Sequence, residues 1–127
     1  MFEYAKVLIK NHKDDEASNV LRLIIKLNSN SQYAHLELGK LYLKANRFKD
    51  AEEEIKNCIR LDDDKTPHAR LELGKLYAKK DCFEAAEKEL RKCIEIDNDK
   101  TPHARLELGR LYIKKGDLES AEEEFKR

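Results

Sequence analysis

The sequence has no surplus of charge of either sign: 26 Lys and Arg stand against 26 Asp and Glu. Nucleic-acid binding draws its affinity from a basic excess that neutralises phosphates, so no nucleic-acid partner is expected. Long apolar runs are missing as well. Val7-Leu8-Ile9 and Leu23-Ile24-Ile25 fall far short of the roughly 20 residues of a membrane span, so no membrane partner is expected either. The first ten residues include Glu3 and Lys6 and lack the shape of a signal peptide. Cysteines number three, Cys58, Cys82 and Cys93. An odd count without close pairing argues against a disulfide framework and for a reducing, cytoplasmic setting. There is no Cys-x-x-Cys pair, and the four histidines sit alone, so no zinc site and no other cofactor is expected. No nucleophile, base and orienting group occur as a recognisable set, and the chain is expected not to be an enzyme.

What is present is charge in bulk. Apolar residues make up 40% and charged residues 41% of 127 residues. That length fits one domain, but a compact globule usually carries fewer charges. A thin stack with much surface per residue fits better.

The main signal is a repeat. Residues 65–77 read KTPHARLELGKLY and residues 100–112 read KTPHARLELGRLY, an offset of 35. Another step of 35 back from Gly74 reaches Gly39, within AHLELGKLY. The second half of each unit repeats too, as FKDAEEEIKNCIRLDDD, FEAAEKELRKCIEIDND and LESAEEEF. The first 31 residues are diverged but in frame, since Ala17 lies 34 before Ala51 and Leu21 lies 34 before Ile55. The single-residue change falls in a linker, which absorbs it at little cost. Four units result, at about 1–31, 32–66, 67–101 and 102–127, read as a single domain over 1–127.

Each unit reads as two helices. Thr66 and Thr101 can cap the first helix, with Pro67 and Pro102 as its opening residues, and Ser31-Gln32 serves the same end earlier. Ala69, Leu73, Leu76 and Tyr77 follow one helical stripe. Short turns at Lys80-Asp81 and Lys115-Gly116-Asp117 force an antiparallel second helix. Its stripe is Phe83, Ala86, Leu90, Cys93 and Ile94. One such hairpin cannot bury its own apolar face, so neighbours must stack.

These columns resemble the tetratricopeptide repeat. The residues that carry the likeness are Leu38-Gly39 with Tyr42, Leu73-Gly74 with Tyr77, Leu108-Gly109 with Tyr112, and the small residues Ala51, Ala86 and Ala121. Phe125, replaced by Ile55 and Leu90, stands at the family's aromatic position. The family's proline at the end of the second helix is missing. The resemblance implies an all-α fold, a right-handed superhelical αα-solenoid of about four hairpins with the first and last incomplete. It also implies that first helices line a concave groove for a peptide or partner helix. The interior glycines cost roughly 1 kcal/mol each against Ala, which predicts that a neighbouring helix comes close at Gly39, Gly74 and Gly109.

The groove candidates are ladders on the first helices: His68 and His103; Leu36, Leu71 and Leu106; Glu37, Glu72 and Glu107; Lys40, Lys75 and Arg110; Lys44, Lys79 and Lys114. Leu71 lies two residues before Leu73, about 200° around the axis, and so off the main stripe. One reading is a groove with an apolar floor and both signs of charge, suited to a mixed-charge segment. The other packs the Leu column first helix to first helix and leaves Glu and Lys as solvated i,i+3 neighbours. In some family members such a groove clamps the C-terminal carboxylates of heat-shock chaperones. The matching positions here are Leu36, Lys40, Glu72, His103 and Glu107, or one unit earlier Phe2, Lys6, Glu37, His68 and Glu72. Their acidic members would repel a carboxylate, which excludes that role.

Simpler readings cover the remainder. His68 and His103 are exposed first-turn residues, Cys58 and Cys93 are small core residues, and Cys82 is an exposed turn residue. The runs Glu52-Glu53-Glu54 and Glu122-Glu123-Glu124 read as solvated faces, and Asp62-Asp63-Asp64 lacks EF-hand spacing. Arg127 comes before the last helix reaches the column of Cys58 and Cys93, so the final apolar face is expected to be under-covered. Either the chain is cut from a longer protein, or an uncapped end self-associates with another copy. The expected function is protein or peptide binding. The alternatives are a structural spacer or self-assembling element, or the regulatory part of a larger protein.

Overall fold

In the computed structural model the structure describes residues 2–61, 67–98, 100, 102–116 and 124–126. Among them are seven helices: α1 (Phe2–Lys10), α2 (Asp14–Leu27), α3 (Gln32–Lys44), α4 (Phe48–Leu61), α5 (Pro67–Lys79), α6 (Phe83–Asp97) and α7 (His103–Lys115). Residues 124–126 are helical as well, and no strand occurs among the described residues. The chain divides into two compact units, Met1–Asp63 and Asp64–Arg127.

Unit 1 packs α1 on α2, α2 on α3 and α3 on α4. Its core joins Ala5, Leu8, Ala17, Leu21, Ile24, Ala34, Leu38 and Leu41. Unit 2 packs α5 on α6, α6 on α7 and α5 on α7. Its core joins Leu71, Ala86, Leu90, Cys93, Ala104, Leu108, Leu111 and Tyr112. Each large aliphatic side chain buried this way contributes about 1.5–3 kcal/mol. The stripes expected on second helices are the ones buried, with Cys58 and Cys93 in the core and Cys82 exposed.

The predicted close approach at the helix glycines is present. A Cβ on Gly39 would lie 2.7 Å from Ile55, and one on Gly74 would lie 2.8 Å from Leu90. At Gly109 the ring of Phe125 comes closer still. Ile55, Leu90 and Phe125 are one repeat column, so these three hairpins close the same way.

The turn inside each hairpin repeats too. His12, Asn46, Asp81 and Gly116 all have positive φ, at 60°, 63°, 60° and 93°, at spacings of 34, 35 and 35. After Asn46, the Arg47 N–H donates to the Tyr42 carbonyl, while the Asn46 N–H donates to that of Leu43. Cys82 and Asp81 do the same to Tyr77 and Ala78. This is a left-handed C-terminal cap that satisfies the last helix carbonyls. Its backbone favours glycine, which one copy of the four provides.

The Ser31 cap forms, its hydroxyl accepting from the Ala34 N–H at 3.2 Å. The Thr66 and Thr101 caps, Ala121, Asp117 and the Asp62-Asp63-Asp64 linker lie outside the described residues. Pro67 opens α5 as expected. Pro102 instead precedes α7, which begins at His103. It already has helical dihedrals, and its carbonyl accepts from the Leu106 N–H.

Candidate functional site

The first-helix ladders sit in three environments. The charges pair within their own helix. Lys40 lies 3.4 Å from Glu37, Lys75 3.4 Å from Glu72, and Arg110 2.7 Å from Glu107. Pairs of this kind within one helix turn contribute about 0.2–0.5 kcal/mol. Their cations are more exposed than their carboxylates, so a ligand could exchange for the cation's partner at little cost. The Leu column divides. Leu36 is half-buried, Leu71 is 6% exposed in the core of unit 2 with α7 residues, and Leu106 is 40% exposed. In unit 2, then, the column packs first helix on first helix at Leu71 and stays open on α7. His68 and His103 are exposed, as is Lys79. Lys44 and Lys114 turn to other helices. Lys44 meets Asp14 at 3.0 Å, while Lys114 meets Asp81 and donates to the Ala78 carbonyl, both at 2.8 Å.

On unit 1 the same side carries aromatic contacts. Phe2 of α1 stands edge-on to Tyr33 of α3 at 5.3 Å, and Lys6 lies over the Tyr33 ring. Burial first, then Glu37 and Glu3, push the Tyr33 hydroxyl above its ordinary value.

A second set of repeated residues was not recognised in the sequence. His35 meets Glu54 at 2.9 Å, Arg70 meets Glu89 at 2.6 Å, and Arg105 meets Glu124 at 2.6 Å. His35, Arg70 and Arg105 share one column at spacings of 35, and so do the carboxylates. Each pair ties the first helix of a hairpin to its second. Glu89 and Glu124 are 7% and 6% exposed. This corrects the reading of Glu54 and Glu124 as parts of solvated faces, because a side chain across the hairpin, His35 or Arg105, draws each carboxylate inward. Glu53 and Lys56, by contrast, are exposed, and Glu122 and Glu123 lie outside the described residues. The signal was legible as a His or Arg 19 residues before a Glu in three consecutive units.

A third set joins second helices to the following first helix. In unit 2 the Tyr112 hydroxyl donates to Glu87 at 2.8 Å and accepts from Arg91 at 2.6 Å. Burial, then the bond to Glu87, push that hydroxyl above its ordinary value, with Arg91 opposing. In unit 1 the Arg22 Nε donates to the Tyr42 hydroxyl at 3.1 Å, and Arg47 lies 4.7 Å over the Tyr42 ring.

Among the described residues no group of three or more His, Cys, Asp or Glu could hold a metal ion, and no helix is long and apolar enough to cross a membrane.

Solved structures share this fold. A structure of MamA superposes with a TM-score of 0.82 at 24% identity, covering 96% of this chain and 70% of that one. MamA from Desulfovibrio magneticus RS-1, residue 41 to the end, gives 0.87 at 21% identity, over 98% and 70% of the two chains. TTC0263, a thermophilic tetratricopeptide-repeat protein of Thermus thermophilus, gives 0.85 at 19% identity, over 96% and 67%. No curated protein matches the sequence. The hairpins, with helices crossing closely at Gly39, Gly74 and Gly109, share the fold of these solved repeat proteins. Residues 1–124 match the family model described as a domain of unknown function, DUF7017, and the chain belongs to that family.

Proposed function

We propose that the chain is a protein–protein interaction module that holds a peptide or partner helix against its first helices. The observation that carries this reading is the repeated Glu–Lys or Glu–Arg pair on α3, α5 and α7. These pairs recur at one register without a place in the core. The buried Arg70–Glu89 and Arg105–Glu124 pairs already do the structural work of the hairpins. The α7 face is the most open, with Leu106 and Ile113 40% and 49% exposed beside Arg110. It offers apolar contact and a displaceable charge pair, as a mixed-charge helix requires.

The test is affinity capture with the wild-type chain beside a variant carrying Lys40→Glu, Lys75→Glu and Arg110→Glu, after circular dichroism has shown equal helicity. A partner retained by wild type and lost by the variant supports the reading. A partner held equally by both overturns it.

Self-association is a second reading, and one observation favours it. Tyr4 and Val7 are 57% and 52% exposed, whereas Leu108 and Leu111 in the same repeat columns are 0% and 3% exposed. Analytical ultracentrifugation of wild type against Tyr4→Ser with Val7→Ser tests it. A concentration-dependent oligomer lost in the variant supports the reading, and a monomer at all concentrations removes it.

A further inference from the structure

Unit 1 contains a cleft of about 510 Å³ between α2 and the C-terminal end of α3, lined among others by Asp14, Ser18, Arg22, Tyr42, Lys44 and Arg47. That volume lies within the range of about 300–1,000 Å³ typical of ligand sites. The repeat explains its existence. The equivalent seam of unit 2, α6 against α7, is filled from within. Phe83 packs on the core, and Glu87 accepts a hydrogen bond from the Tyr112 hydroxyl while lying 3.7 Å from Arg91. In unit 1 the matching positions hold Asp14 for Phe83, Ser18 for Glu87, Arg22 for Arg91 and Tyr42 for Tyr112. The cation and the phenol are kept. The ring and the carboxylate are replaced by smaller groups, which leaves the space.

The chemistry of that space follows. Arg22 donates from Nε to the Tyr42 hydroxyl and from one terminal nitrogen to Asn19, at 3.1 and 3.0 Å. Its other terminal nitrogen has no carboxylate partner among the described residues. The Tyr42 hydroxyl accepts from Arg22, but its own proton meets no acceptor among the described residues. A phenol and a guanidinium with spare donors are the groups that hold Glu87 in unit 2. At the other end of the cleft, Asp14 Oδ1 is buried without a donor, while Oδ2 is held by Lys44. The cleft thus offers spare donors at Arg22 and Tyr42, while the orphaned Asp14 Oδ1 lies beneath its surface. Of its lining cations, Lys44 is held by Asp14 at 3.0 Å and Arg47 by Asp50 at 2.6 Å, which leaves Arg22 to meet an incoming carboxylate.

We propose that this cleft binds an acidic peptide, seating one Asp or Glu carboxylate against Arg22, Tyr42 and Ser18 in the position that Glu87 fills in unit 2. The proposal rests on the reading of the chain as a peptide-binding module, but places this contact apart from the paired charges of the first helices.

The experiment is a titration of the full ¹⁵N-labelled chain, followed through backbone amides and arginine Nε–H signals. The probes are the capped pentapeptide acetyl-Ala-Ala-Glu-Ala-Ala-amide and its Gln analogue. Charge-assisted hydrogen bonds are the stronger class, so the Glu peptide should bind at least ~10-fold more tightly than the Gln peptide. Saturable shifts are expected at the Arg22 Nε–H and around Ser18 and Tyr42. None is expected at Arg91, whose site Glu87 already fills. Ser18→Glu puts the internal carboxylate back, so it should abolish binding and leave the chain folded with a raised melting temperature. Lys40→Glu should leave the titration unchanged. The proposal is overturned by any of three results: no saturable shift at Arg22, equal response to the two peptides, or undiminished binding by Ser18→Glu. Shifts confined to Lys40 and Lys75 would also overturn it while preserving the first-helix reading. Loss of a captured partner in the triple first-helix variant, with the Arg22 shifts intact, would separate the two sites.

Discussion

The two units solve one packing problem with different side chains. In unit 2 both Arg70 and Arg105 reach a buried glutamate, and the Tyr112 seam is closed by Glu87 and Arg91. In unit 1 the Arg column holds His35, and the Tyr42 seam has no glutamate. His35 sits 6% exposed between the Glu54 carboxylate and the Ser29 carbonyl, each 2.9 Å from a ring nitrogen. An imidazole brings one nitrogen to the carboxylate and spends the other on a carbonyl, whereas the Arg70 guanidinium meets both oxygens of Glu89. Unit 2 closes its polar contacts internally, while unit 1 leaves the Tyr42 seam open. The backbone columns of Gly, Ala and the aliphatic residues are common to both. The repeat therefore fixes the hairpin, and its polar positions carry the variation.

The largest effect comes from breaking a column that both units share. Gly74→Leu would place a side chain where even a Cβ lies 2.8 Å from Leu90 Cγ. Overpacking of this sort costs on the order of 3 kcal/mol or more, enough to remove the native packing of unit 2. Cys58 and Cys93 make the comparison measurable, since they hold equivalent positions, one in each unit, 2% and 3% exposed. Burial pushes the Cys93 thiol up to about 11, with Asp97 adding to the shift. At pH 8 it should therefore resist a thiol reagent in the folded chain, while exposed Cys82 reacts at once. In Gly74→Leu, Cys93 should label as fast as Cys82. Protection of Cys93 in that variant would refute the close-approach argument. The sign with pH follows from the raised thiol. The folded state holds the proton more tightly than the unfolded chain, so this contribution is intact below the ordinary thiol range. It is lost as pH rises towards 11, and protection at Cys93 should fall over that window.

Next in size is the buried pair. Arg70→Ala strands Glu89, whose side chain is 9% exposed, and removal of one buried partner costs on the order of 3 kcal/mol. His35→Ala should cost less, about 1–2 kcal/mol, because the Glu54 side chain is 17% exposed and can take water. Urea unfolding read by circular dichroism and Cys labelling checks both. The comparison breaks if the His35 variant proves the more damaging. A double change, Arg70→Met with Glu89→Leu, should recover most of the loss, since an apolar pair of similar volume has no charge to desolvate.

The hairpins, the crossing columns and the core were legible in the sequence because they follow from period and size alone. Gly39, Gly74 and Gly109 stand out at helix-interior positions, and their contacts with Ile55, Leu90 and Phe125 are what a glycine there implies. The fate of the Leu column was open, and its members differ. The same residue type is buried at Leu71, half-buried at Leu36 and exposed at Leu106. Burial depends on which helix lies alongside, and a repeat in sequence does not encode that. The Arg–Glu ties were hidden for another reason. In local sequence Glu124 belongs to an acidic run, and its partner Arg105 lies 19 residues away on the other helix. The cleft at Arg22 was harder still, because it arises from what Ser18 and Asp14 lack relative to Glu87 and Phe83.

The turns give a smaller and stabilising effect. Asp81 holds φ near 60° where the last copy has Gly116 at 93°. A left-handed conformation costs an ordinary residue roughly 1 kcal/mol. Asp81→Gly should recover about that much, raising the melting temperature by a few degrees. The gain will be partly offset, because Asp81 also meets Lys114 at 2.8 Å. Asn46→Gly in unit 1 should recover less, since Asn adopts this region more readily than most residues. Equal gains at the two turns would show that backbone strain alone decides them.

The smallest effect belongs to the first-helix charges, and its size is what makes them useful. Lys75 and Glu72 lie 3.4 Å apart within one helix turn, and the Lys75 side chain is 36% exposed. Such a pair contributes a few tenths of a kcal/mol, about 0.2–0.5. Lys75→Gln should therefore shift the unfolding midpoint within measurement error of wild type, and Lys40→Gln in unit 1 should behave alike. A loss above roughly 1 kcal/mol at either position would mean that the pair supports the hairpin, and the charge ladder would then have a structural cause. A near-zero loss at both positions would leave the ladder without a role in stability. In that case any partner lost on reversing these charges is lost through contact with them, and not through damage to the hairpins.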